Sequence, residues 1–296
     1  MIMDIRYHII TLVAVFLMLG LGILIGTTMV GSDAILKQQG QLAERIEKQF
    51  NDLRSENEKV RQRIEQVEAE NGVLRTFAEE IVPFATAGRL QGLRIGLFEA
   101  GGPAPQELLN ELRVAGAEVE PVITFVNGLD LASSYEKLRQ DFGWPDKKPE
   151  DLSARLAHEI SRAVATGQNP SLISYLQEEG LLTVSGNCNK PVNAVILVGG
   201  TEGAENGRIS RVDLNLIDGI IEEGIEIVGV EESTGSGDSI KEYQRRKIST
   251  VDNVDTPWGR VALVLALSGQ PGKYGTKPTA KQLLPTHSTV GVNKPV

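Results

Sequence analysis

The chain predicts a membrane-anchored α/β protein. An N-terminal transmembrane helix leads into a parallel dimeric coiled coil and then a doubly wound, Rossmann- or flavodoxin-like domain on a mostly parallel sheet. Three observations predict it. Ile9–Val30 carries no charge. Apolar residues then recur with heptad spacing from Ala43 to Ala78. Beyond Leu93, short apolar runs alternate with helical stretches, the pattern of strands joined by crossover helices. The chain divides into a head (1–8), a span (9–30), a stalk (33–85), the α/β domain (90–269) and a Gly-, Pro- and Lys-rich tail (270–296).

The span reads IITLVAVFLMLGLGILIGTTMV. About 20 apolar residues cross the hydrocarbon of a bilayer. The run exceeds a secretory core of about 7–15 residues, and no clear A-x-A cleavage site follows it, so an uncleaved anchor is expected. The alternative, a buried core helix, would normally keep a polar stripe. Arg6, offset by Asp4, precedes the span; Asp33 and Lys37 follow it. That charge bias is slight. A short head before a large domain favours a cytoplasmic head and an extracytoplasmic domain on a single-pass cell-membrane protein. Cys188 is the sole cysteine, so no intrachain disulfide is possible and the redox compartment stays open.

In the stalk, Ala43, Phe50, Asn57, Ile64, Asn71 and Ala78 take heptad a positions. Ile46, Leu53, Val60, Val67 and Leu74 take d positions, enough repeats for a coiled coil. Asn57 and Asn71 specify the dimer, because Asn at a fixes register in parallel dimers and is costly in larger bundles. The g-to-e′ pairs of such a homodimer are Glu56–Arg61′, Arg63–Glu68′ and Glu70–Arg75′, all attractive. Two copies anchored in one membrane also run parallel. The alternative is a single helix packed on its own domain. At 1.5 Å per residue, a stalk of about forty residues spans roughly 60 Å.

In the α/β domain, strands are expected at Arg94–Phe98, Val119–Phe125, Ala194–Val198, Ile225–Val230 and Ile248–Val251. Helices are expected at Pro105–Ala115, Leu152–Thr166, Pro170–Glu179, Leu214–Glu223, Ser239–Arg246 and Pro257–Leu267. Residues 127–150 look like a surface insertion. The tail is expected to lie over the surface or to be partly mobile.

Ligands of such sheets bind beyond the carboxyl ends of the strands. The segments leaving those ends place Gly199, Gly200, Glu231, Asp252 and Asp255 along one edge. Glu231, Asp252 and Asp255 could serve a small ligand or a cation there. The competing structural reading makes Asp255 and Thr256 a helix cap before an N1 proline, and Gly199-Gly200 an ordinary turn.

No dinucleotide fingerprint, phosphate-binding loop or nucleophile elbow is present, so no catalytic residue, cofactor site or enzymatic activity is predicted. With 30 basic and 39 acidic residues and no basic aromatic patch, nucleic acid is not an expected partner. Copper favours clusters of Cys, Met and His. One Cys, three His and four Met, none paired at ligand spacing, leave His8 and Cys188 as isolated metal candidates.

The opening DIRYHIITLVAVFLMLGLGILIG, the stalk, the segment STVDNVDTPWGRVALVLALSG and the PGKYGTK behind it resemble the MctB-like copper transport family. The resemblance implies copper transport or homeostasis and a channel-forming role in the cell envelope. A SteB-like branch of similar proteins implies instead a coiled-coil scaffold that recruits a partner for cell-wall remodelling and cell separation. The residues themselves supply neither a copper cluster nor a pore: one span per chain leaves no room for a channel. The expectation is a non-enzymatic envelope protein with a protein partner, with copper implied by the resemblance alone.

Overall fold

The computed structural model describes residues 5–131, 134–145, 148–200 and 207–286; of 29–34 it describes the helix and not the side chains. The chain forms two compact units, Met1–Val73 and Leu74–Val296.

Helix α1 (Ile5–Thr86) makes up the first unit as far as Val73, and its last turns belong to the second. No proline interrupts it before Pro83, and Glu, Gln, Arg, Lys and Leu, all good helix formers, dominate the stalk. Ile5–Thr28 is long and apolar enough to cross a membrane, with a mean hydropathy of 2.8. Its three threonine hydroxyls are satisfied within the helix. Thr11, Thr27 and Thr28 donate to Tyr7, Ile23 and Leu24 carbonyls at 3.0, 3.0 and 2.9 Å, so none requires a partner outside the helix. Farther along, Ile46, Phe50, Leu53, Val60, Ile64 and Val67 form an exposed apolar stripe at the heptad spacing read from the sequence. Asn57 lies on that stripe and donates to the Leu53 carbonyl at 3.1 Å.

The second unit is a seven-stranded sheet ordered β3-β2-β1-β4-β5-β6-β7. Its strands are β1 (Arg94–Glu99), β2 (Glu118–Phe125), β3 (Leu182–Ser185), β4 (Ala194–Val198), β5 (Glu226–Val230), β6 (Ser249–Val251) and β7 (Lys273–Tyr274). Only the β2–β3 pair is antiparallel. β1 and β4 are buried along their whole length, which is why RIGLFE and AVILV read as continuous apolar runs. Alternate residues feed two cores. Phe98 and Ile123 face α4 (Pro149–Thr166), α5 (Pro170–Glu178), α6 (Leu214–Glu222) and α7 (Asp238–Tyr243). Ile95 and Leu97 face α2 (Gln106–Val114) and α8 (Pro257–Leu267). Helices thus cover both faces.

Three segments depart from the sequence expectations. Residues 127–150, expected as a surface insertion, contain α3 (Tyr135–Phe142). This segment also sends Leu129, Leu131 and Leu138 fully into the core. Trp144 stacks on Phe142 at 4.6 Å beneath the Arg155 guanidinium. β3 was not anticipated: LTVS is too short to stand out. The stretch after Gln270 supplies β7, and Tyr274 is 3% exposed, so part of the expected surface tail is core.

Candidate functional site

The chain order reverses between β1 and β4: β1 connects outward to β2, and β4 leads to β5 and β6 on the other side. Loops leaving such a switch point diverge and leave a crevice. Here a cleft of about 320 Å³ opens at the carboxyl ends of β1, β4 and β5. Gly101, Gly102, Gly199 and Gly200 form one wall, and Glu231, Glu232, Thr234 and Gly235 border the other. The glycines are there for close approach. A Cβ on Gly101 would lie 2.3 Å from the Gly200 nitrogen, and one on Gly200 would lie 2.4 Å from the Gly101 oxygen.

A buried polar cluster fixes the Gly200 carbonyl. It accepts from Arg208 Nη2 at 2.9 Å and from Ser239 Oγ at 3.2 Å. Arg208 Nη1 lies 3.1 Å from Asp213, whose carboxylate also accepts the Tyr243 hydroxyl. All three side chains are at most 1% exposed. Burial pushes the Asp213 carboxyl up, against the pull of Arg208. Burial also raises the Tyr243 phenol well above its ordinary value. The sequence reading missed this cluster: Arg208 and Asp213 flank a single turn, and Tyr243 reaches them from α7, 30 positions beyond Asp213.

The expected acidic edge is brought together, but as architecture. Glu231 is fully buried; its carboxylate accepts from Lys277 Nζ at 2.9 Å and from the Gly237 nitrogen at 3.3 Å. Lys277 also donates to the Glu232 carbonyl at 2.7 Å. Asp252, also fully buried, accepts from the backbone nitrogens of Thr276 at 2.8 Å and Lys277 at 3.2 Å. Gly275 must be glycine for this: at φ +140° a Cβ would fall 1.9 Å from the Asp252 carboxylate. Asp255 accepts from the Ser233 nitrogen at 2.7 Å and its hydroxyl at 2.5 Å. The helix cap is Thr256, not Asp255: its hydroxyl accepts from Gly259 at 3.1 Å, with Pro257 at N1. The VDNVD segment therefore ties the β5 loop, the PGKYGTK strap and α8 into one block.

Gly199, Gly200 and Glu231 border the cleft; Asp252 and Asp255 do not. Glu232 has its carboxyl raised by partial burial and by the nearby charges of Asp255 and Glu107. The wall can hold a small polar ligand against glycine backbone. Among the described residues that line it, no side-chain nucleophile stands beside a base.

Copper favours Cys, His and Met donors. Cys188 sits in the β3–β4 loop, at the amino end of the sheet and away from the cleft. Burial pushes its thiol up, while the neighbouring Arg94 pulls the other way. His8 is exposed on α1, and His158 Nε2 lies 3.1 Å from Glu222. His287, Thr201 and Glu202 lie outside the described residues. Among the described residues, no group of three His, Cys, Asp or Glu side chains is placed to hold a metal ion.

A helix long and apolar enough to cross a membrane, its long helical continuation and an open, helix-covered sheet with a switch-point cleft define a mixed α/β protein. The chain belongs to the MctB family, described as copper transport outer membrane protein, whose pattern matches residues 1–285. No curated protein matches the chain significantly.

Proposed function

We propose that this chain is a single-pass, non-enzymatic membrane protein that acts in copper homeostasis of the cell envelope. It displays its α/β domain outside the membrane on a parallel dimeric stalk and engages a protein partner there. Family membership supplies the copper context. The mechanism rests on the exposed apolar stripe of α1, Ile46 to Val67, which a lone helix would leave in water and a second copy would cover.

The test is deletion and complementation. Loss of the gene should sensitise cells to copper, and a Cys188→Ser chain should restore tolerance fully. Failure of Cys188→Ser to complement, with normal protein levels, would contradict a partner-based mechanism.

A second reading, a scaffold for cell-wall remodelling and cell separation, is favoured by the charged outer face of the stalk, where Glu44, Arg45, Lys48, Asp52, Glu58 and Lys59 stand exposed at b, c and f positions. Chained, unseparated cells with unchanged copper tolerance would select it.

A further inference from the structure

The last turns of the stalk, from Leu74 onward, belong to the same compact unit as the α/β domain. One side is docked. Val82 is buried, Thr86 is buried and donates to Glu111, and Glu79 pairs with Arg260. Another side carries Leu74, Phe77, Ile81 and Phe84, which are 63%, 61%, 45% and 86% exposed. At 3.6 residues per turn the two sets point roughly 150° apart. The apolar face therefore looks away from the chain's own domain.

We propose that this face packs against the same residues of a second copy. On this account the dimer seam runs down to the point where the stalk enters the domain, and each α/β domain is carried on the outer side. Two arguments favour a second copy. The d column Leu53, Val60, Val67 and Leu74 reaches Ile81 by the same seven-residue step. The charge pair flanking the face, Glu70–Arg75′, is attractive only between parallel chains in this register. A two-fold seam also sets Phe77 and Phe84 beside their own copies, as a self-complementary interface requires. The Phe residues extend the seam from a/d to d/g, where the docked side of the helix takes up the remaining positions.

This inference rests on the dimeric stalk proposed above, and disulfide trapping separates the two. The full chain in its membrane, in a Cys188→Ser background, would carry single cysteines: Leu53→Cys and Val60→Cys in the stalk, Leu74→Cys and Ile81→Cys at the base, and Ala69→Cys on the outer face. All four d-column variants should trap a species of twice the chain's mass, at least tenfold above Ala69→Cys. Trapping at Leu53 and Val60 but not at Leu74 and Ile81 would overturn the base seam and leave the stalk dimer standing. Trapping at none would overturn both. A product at Ile81 of any other mass would assign the face to a different protein. Phe77→Ser with Phe84→Ser should lower trapping at Ile81 at least fivefold while leaving Leu53 unchanged; an unchanged yield at Ile81 would contradict the seam.

Discussion

Glu79, near the end of α1, forms an ion pair with Arg260 in the first turn of α8, across 181 positions of sequence. The Arg260 side chain is 3% exposed and also donates to the Asp255 carbonyl at 3.3 Å. The Asp255 carboxylate in turn holds Ser233, beside the cleft. One guanidinium thus joins the stalk's base to the block that frames the cleft.

Removing one partner of this pair should be costly. Glu79→Ala leaves a buried guanidinium without its counter-charge. Because Glu79 is partly exposed, the expected loss is about 1–3 kcal/mol, below that of a fully buried pair. For a domain of this size each kcal/mol lowers Tm by about 2–4 °C. Calorimetry of the full chain in detergent checks it; an unchanged Tm would mean that the pair contributes nothing to docking.

The strap has a sharper dependence. Lys277→Met strands the fully buried Glu231 carboxylate and should destabilise the domain by about 3–5 kcal/mol. Adding Glu231→Gln should recover much of that loss. The coupling between the two substitutions, read from urea midpoints, should exceed about 1 kcal/mol, as it does for groups in direct contact. Strict additivity would show that the latch is not energetically linked.

Acid should loosen the amino end of the sheet. Arg94 reaches Glu118 at 2.5 Å, Glu120 at 2.8 Å and the Asn187 carbonyl at 2.6 Å. Hydrogen bonding from Glu118, the Asn187 N–H and Arg94 holds the Glu120 carboxyl below its ordinary value, against desolvation. A depressed carboxyl contributes stability above the unfolded value, about 4.3. That contribution disappears as pH falls through the lower folded value. Glu120→Gln should therefore be less stable than the parent at neutral pH, and the gap should close in strong acid. A gap that stays constant with pH would contradict the assignment.

Asn57 and Asn71 set a trade between stability and specificity. Replacing both by Ile should raise the stalk's thermal stability and admit trimers or tetramers beside the dimer. Helix melting by circular dichroism and the mass in detergent read the two effects. No change in either would show that these positions are not in the seam.

The local part of this architecture was legible. AVILV is a strand with the bounds the sequence suggested, because a strand buried on both faces is apolar throughout. Pro257 opens α8 because its missing N–H and fixed φ suit a first helical turn. What was not legible is long-range. Arg208 and Asp213 flank a single turn, but nothing in the sequence announces Tyr243, 30 positions beyond Asp213, as their neighbour beneath the cleft wall. Asp252 looked available to a ligand because its partners, the backbone nitrogens of residues 276 and 277, carry no side-chain signature. β7 is two residues long, below the length at which alternation can be seen.

The most direct test of the central claim is calorimetric titration of the full-length chain in detergent, with Cu(I) under reducing conditions and with Cu(II), beside the Cys188→Ser variant. Neither ion should bind tightly and stoichiometrically to the clean dimer, and the two chains should give identical traces. One tightly bound copper per chain that disappears in Cys188→Ser would contradict it, and would show that the thiol and dispersed donors converge on the metal.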